Sequence, residues 1–253
     1  MRPSLNVFFA ILIFVTLSSC SHNTQPPPVN AAKTGIHFER VRIGDVSYVV
    51  ARLDLKQARL TLKWKDQHGQ GYGSFEKVIQ ASAPQRVVFA TNAGIFDPSH
   101  TPCGWYVEDG KESVPLNLQD GEGNFYMKPN GIFKVDTEAT IQASENSAGV
   151  QGVRWATQSG PLLLQAGTIH QKFTQGSANK AIRSGVGIVS PLEVCFVLSE
   201  QPVNFYDFAH FFKTTLHCQD ALYLDGAISK FYAPEIGLTD QGGDFAGIFA
   251  IVE

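Results

Sequence analysis

Short stretches of strand length, some alternating apolar and polar with a period of two and others continuously apolar, make up most of this chain, and only a few switch to a helical period. Residues 40–43 and 46–53 alternate around Gly44-Asp45, which predicts a hairpin, and 59–64 reads as a further strand. A glycine-rich loop at 69–73 matches no nucleotide motif and reads as a flexible lip. It ends on Ser74, whose hydroxyl can cap a helix to about Ser82. The apolar strand 86–91 runs straight into Asn92-Ala93-Gly94-Ile95-Phe96. Segments 105–108, 123–127 and 132–135 read as antiparallel hairpins around the turns Glu108-Asp109-Gly110-Lys111 and Pro129-Asn130-Gly131.

In the C-terminal half, Ser159-Gly160 makes a tight break before the strand at 162–164, offering a hydroxyl and a bare backbone amide. In Ile182–Val189, strand periodicity puts Ser184, Val186 and Ile188 on one face and Arg183, Gly185 and Gly187 on the other. Arg183 then stands beside a strip without side chains. Either an anion held bidentately by the guanidinium fills that strip, or a neighbouring backbone packs there with Arg183 in a structural ion pair. The apolar runs 193–198 and 221–224 flank Phe205, Phe208, Phe211 and Phe212 at helical spacing, with Asn204 as N-cap. This predicts a βαβ unit that delivers Asp225 onto the Gly226 turn. If its strands are parallel neighbours, Asp225 leaves the carboxyl edge, where open α/β sheets bind ligands; otherwise Asp-Gly merely ends a strand. The run 245–252 is a final, central strand. The expected fold is α+β: a single domain at 35–253 with a mixed, largely antiparallel sheet core, the βαβ unit near the C-terminus and a few flanking helices.

Composition then narrows the function classes. The net charge is −3 and no Lys/Arg run is present, which argues against a nucleic-acid partner. The Asp240-Gln241-Gly242-Gly243-Asp244 loop has too few oxygen ligands for calcium and reads as surface, so no metal is expected. Arg2 followed by the apolar run 7–15 reads as a leader too short to span a bilayer. It closes on Leu17-Ser18-Ser19-Cys20, which resembles a bacterial lipobox. That resemblance implies cleavage after residue 19, acylation of Cys20 and, with Ser21 next, lipid anchoring at the outer membrane facing the periplasm. The membrane is then met through the lipid alone. Residues 20–34, with Pro26-Pro27-Pro28, form the tether. Cys103, Cys195 and Cys218 remain and are read as free, packed thiols in preference to one bridge; Cys195 and Cys218 flank the predicted helix and could pair if their strands are adjacent, and Cys103 as a nucleophile would need a depressed pKa.

Four segments in order, Asn92-Ala93-Gly94-Ile95-Phe96, Ser159-Gly160-Pro161, Arg183-Ser184-Gly185-Val186-Gly187 and Leu224-Asp225-Gly226, together resemble the phosphodiester glycosidase family. The resemblance covers residues 40–253 and implies an envelope hydrolase of sugar-1-phosphodiesters, acting as a monomer without cofactor on a phosphorylated sugar or glycan. It implies Asp225, Arg183 and Asn92 as catalytic residues, with Gly94, Ser159, Gly160, Gly185, Gly226, Ser229 and Lys230 binding substrate. Asp225 would serve as nucleophile or base, or stabilise an oxocarbenium-like centre. Where the family often has further glycine after Asp-Gly, this chain has Ala227-Ile228. The alternative is a non-catalytic lipoprotein that binds a phosphorylated envelope glycan.

Overall fold

Most of the stretches of strand length become sheet in the computed structural model, whose described residues are Met1, 34–147 and 152–253. Apart from Met1 these lie in one compact unit, Ala32–Glu253. The expected leader, the Cys20 acylation site and nearly all of the tether fall outside the described residues.

The first half of the chain supplies β1 (Ile36–Ile43), β2 (Val46–Asp54), β3 (Leu60–Lys63), helix α1 (Phe75–Ser82), β4 (Val87–Asn92), β5 (Tyr106–Glu108), β6 (Lys111–Val114), β7 (Gly131–Val135) and β8 (Ala139–Ala143). The second half supplies β9 (Trp155–Ser159), β10 (Leu162–Gln165), β11 (Thr168–Ile169), β12 (Ser184–Ser190), β13 (Glu193–Ser199), helix α2 (Phe205–Thr214), β14 (Asp220–Asp225), β15 (Phe231–Tyr232) and β16 (Ile248–Val252). They form three sheets, ordered β1-β2-β13-β12-β14-β10-β11, β15-β4-β16-β3 and β6-β5-β9-β7-β8. Every pairing within them is antiparallel. The architecture is therefore largely β rather than the expected α+β with a mixed sheet, and the described residues contain two α-helices.

Strand alternation decides what each face buries. In β2, Val49, Ala51 and Leu53 enter a core shared by all three sheets, while Tyr48 and Val50 face the other way, under α2. In β14, Leu222 and Leu224 point into the shared core, and Ala221 and Tyr223 point toward α2. The seven-stranded sheet is thus buried on both faces. This is why its strands read as continuous apolar runs that mimic a parallel sheet.

The predicted βαβ unit needs correction. β13 and β14 do run parallel, but β12 lies between them and pairs antiparallel with both. Helix α2 crosses over β12, capped by Asn204, whose Oδ1 accepts from the Asp207 N–H at 2.8 Å. Glycine makes that crossing close. A Cβ on Gly185 would lie 3.2 Å from both the Phe208 and Phe212 rings, and one on Gly187 only 2.7 Å from Phe212 and from Cys218 Sγ. The strip expected to face a ligand is therefore filled by aromatic side chains of α2. Gly187→Ala is expected to push the helix outward and lower Tm by roughly 3–10 °C, the scale of an overpacked core, as read by thermal unfolding.

Residues 123–127 are a second correction. They form turns rather than a strand: Gly123 has φ of 88° and the Met127 N–H donates to the Asn124 carbonyl at 3.1 Å. Asn130 Nδ2 reaches back to the Phe125 carbonyl at 2.9 Å, which takes the place of ladder bonds.

Candidate active site

β4, β9 and β14 end and β12 begins near one another, and the polar residues there are tied into one network. Ser184, the first residue of β12, stands opposite Asp225, the last of β14. Its Oγ donates to the Asp225 carbonyl at 3.1 Å and accepts from Asn92 Nδ2, at the end of β4, at 2.9 Å. Ser229 Oγ lies 3.1 Å from Ser184 Oγ and also contacts the Asp225 carbonyl. The Lys230 N–H donates to Asn92 Oδ1 at 3.3 Å. From β9, Ser159 Oγ donates to the Leu224 carbonyl at 2.9 Å and accepts from the Ile95 N–H at 3.3 Å, and Thr157 Oγ1 accepts from the Gly94 N–H at 3.3 Å. Gly94 must be glycine, since a Cβ there would sit 2.5 Å from the Gln158 carbonyl. Asn92, Ser159 and Ser184 are buried, so each hydrogen bond forms away from water, where losing a partner is costly.

The Asp225 carboxylate stands at the base of the turn. Its Oδ1 accepts from the Gly226 N–H at 2.5 Å and the Ala227 N–H at 2.9 Å. Burial pushes its pKa above the ordinary carboxylate value, opposed by the N–H groups of Ala227 and Gly226. A cleft of about 400 Å³ opens beside the turn, between 226–230 on one side and Gly243, Asp244 and Phe245 on the other. Ile228 packs partly against the cluster of Phe75 and Phe245 while Ala227 is exposed, and both line the cleft, so the Ala227-Ile228 departure shapes its wall.

Arg183 occupies a different place from the one expected. Its guanidinium does not face open space: the residue is 2% exposed and lies on the α2 side of the sheet, 3.6 Å from the centre of the Phe205 ring. Nε donates to the Val203 carbonyl at 2.8 Å, Nη1 to the Tyr223 hydroxyl at 3.3 Å and Nη2 to the Asn179 carbonyl at 3.2 Å. Among the described residues no carboxylate joins it, which sets aside the ion-pair alternative as well. Burial lowers its pKa, partly offset by Tyr223. The Tyr223 hydroxyl in turn touches the Cα side of Gly226, where any Cβ would collide with it. Arg183 thus braces the Asp225-Gly226 turn from behind.

Other predicted residues divide in the same way. Gly185 lies under Phe208 and Phe212, and Gly160 lies against Asn130 and the Asn124 and Phe125 carbonyls, so both serve close packing. Lys230 reaches the cleft, but its ammonium is held by Asp240 at 2.6 Å and the Gly242 carbonyl at 3.3 Å. That pairing engages Asp240 of the loop at 240–244, while Asp244 meets His100 Nε2 at 2.6 Å. Among the described residues no group of three or more His, Cys, Asp or Glu is placed to hold a metal ion. Cys103 lies near Asp225, but burial, with Asp97 and Asp225 adding, pushes its thiol up to about 11, so it stays protonated at neutral pH and is no nucleophile. Ser184 and Tyr223 are the residues that sequence reasoning left off the site. Alternation already placed Ser184 opposite Arg183, and only the favoured face was chosen wrongly.

A profile of the phosphodiester glycosidases matches residues 85–241, a stretch that holds every residue of this network. The chain belongs to the phosphodiester glycosidase family. Membership places it among hydrolases acting on phosphodiester-linked sugars. Uncharacterized protein YigE of Escherichia coli K12 is 37% identical over 179 residues, which are 69% of each chain. Among solved structures, the zebrafish N-acetylglucosamine-1-phosphodiester alpha-N-acetylglucosaminidase catalytic domain, auto-inhibited by its pro-peptide, aligns with TM-score 0.59 and 15% identity over 86% of this chain and 82% of that one. A putative exported protein of Burkholderia pseudomallei K96243 aligns with TM-score 0.51 and 12% identity over 81% of this chain and 74% of that one. At such identities these two structures establish the fold of this glycosidase family member and no more.

Proposed function

We propose that this phosphodiester glycosidase is an envelope-anchored hydrolase that cleaves the bond from an anomeric carbon to phosphate in a sugar-1-phosphodiester of a glycan or glycoconjugate. The observation that carries this reading is the convergence of Asn92, Ser184, Asp225 and Ser229 on one turn beside an open cleft. A phosphodiester already leaves readily, so one carboxylate suffices where ordinary glycosidases use a pair. Asp225 acts as nucleophile or base, or stabilises positive charge at the anomeric carbon. Asn92 and Ser184 fix its backbone, and Arg183 acts through Tyr223 rather than on the phosphate. The lipobox-like Leu17-Ser18-Ser19-Cys20 and the Pro-rich tether support a lipid anchor at the outer membrane facing the periplasm.

The test is incubation of the purified protein with sugar-1-phosphodiesters, beginning with N-acetylglucosamine linked to a phosphorylated sugar. Release of free sugar and a phosphomonoester is the expected result. One observation favours a binding lipoprotein instead: the altered Ala227-Ile228 turn next to Asp225 lines the cleft itself. Calorimetric binding of the same compounds with no sugar released over many hours would select that second reading.

A further inference from the structure

Two thiols outside the site are placed with unusual economy. Cys195 on β13 stands opposite Gly187 on β12, with its Sγ 3.7 Å from the Gly187 carbonyl. Cys218, in the link from α2 to β14, places its Sγ over the same glycine and 3.5 Å from Cys195 Sγ. Both residues are buried, at 0% and 1% exposure. A Cβ at Gly187 would lie only 2.7 Å from Cys218 Sγ and push it aside, so the bare backbone there leaves room for the sulfurs to meet. Their neighbourhood offers no other chemistry. A structural zinc takes four ligands, and no further His, Cys, Asp or Glu completes such a set among the described residues. Nucleophilic use is excluded by the Cys218 contact and by burial, which hold the Cys195 thiol far from ionising.

We propose that Cys195 and Cys218 are a disulfide-forming pair, joined during export before α2 seals over β12. The oxidant is a protein or small-molecule disulfide: Cys195–SH and Cys218–SH give up two electrons and two protons, one S–S bond forms between them, and the oxidant's S–S bond becomes two thiols. A disulfide needs sulfurs about 2 Å apart, so the 3.5 Å gap closes by about 1.5 Å, within reach of side-chain rotation. Among the described residues Cys103, near Asp225, is left as the unpaired thiol. The closed loop contains Val203, Phe205, Phe208 and Phe212, the groups that seat Arg183 and cover the glycine strip. The bridge therefore fastens the frame behind the Asp225 turn.

The full chain is refolded in oxidised glutathione, and in parallel recovered from the envelope of an exporting bacterium, then alkylated under denaturing conditions without reductant and mapped by peptide mass. The expected result in both arms is a Cys195–Cys218 cross-linked peptide and an alkylated Cys103. Reductant should lower Tm of the unalkylated protein by roughly 6–12 °C, the scale for opening a loop of this size. Alkylation of both Cys195 and Cys218 in the glutathione arm, or a bridge to Cys103, would overturn the proposal. Neither arm measures hydrolysis, so the outcome is independent of the glycosidase reading.

Discussion

Asp225→Asn is expected to reduce turnover of a sugar-1-phosphodiester by at least about 10³-fold, the scale lost when an essential acid, base or nucleophile is removed. The fold should survive. Asn keeps an oxygen for the Gly226 and Ala227 N–H groups, and it relieves the burial that raises the carboxyl pKa. A raised carboxyl pKa means that the associated stability is present below the unfolded-state value and is lost as pH rises through the higher folded value. At neutral pH the charged Asp225 therefore weighs against the fold, and the Asn variant should show a Tm equal to or above that of the parent. The same shift shapes the rate. An ionised Asp225 is required, so kcat/KM should fall as pH drops through a value above the ordinary carboxylate range, and this limb should vanish in the variant's residual activity. Unchanged turnover in Asp225→Asn would remove the carboxylate from the mechanism, while a collapse in Tm would mean that the charge serves the fold.

Arg183→Met is expected to cost roughly 3–5 kcal/mol of stability, because it removes the donors to the Val203 and Asn179 carbonyls and the Tyr223 hydroxyl while those groups stay buried. For a domain of this size that lowers Tm by about 6–20 °C. Arg183→Lys keeps the charge above Phe205 but has no planar fork to serve three acceptors, so it should fall between parent and Met. Thermal unfolding and steady-state kinetics on both variants separate the two roles open to this residue. A brace behind the turn predicts a stability loss, with kcat falling as the Asp225 turn loosens. A direct phosphate clamp predicts an unchanged Tm and a raised KM, and that pattern would refute the placement argued above.

Much of the secondary structure was legible because each element carries its own local cause. The hairpin at Gly44-Asp45, the Ser74 cap of α1, the Asn204 cap of α2 and the strand ending at Asp225 need only turn chemistry and a period of two. The segment 123–127 looked like a strand because Phe125, Tyr126 and Met127 form a run of large apolar residues just before the Pro129-Asn130-Gly131 turn. It became a turn because Asn130 satisfies its backbone instead of a neighbouring strand.

By itself, the sequence determined the order of Asn92, Ser159, Ser184 and Asp225, the strand that ends at Asp225, and the fact that Arg183 and Ser184 must point to opposite sides of one strand. Only the tertiary structure decided which side holds the site. Alternation fixes relative orientation but says nothing of what packs on each face, and here the aromatic face of α2 takes the glycine side of β12 together with Arg183. Ser184 is thereby left to meet Asn92 and Asp225. The pairing of β12 between β13 and β14 was hidden for the same reason: a sheet buried on both faces erases the polar stripe that would have told its strands' neighbours apart.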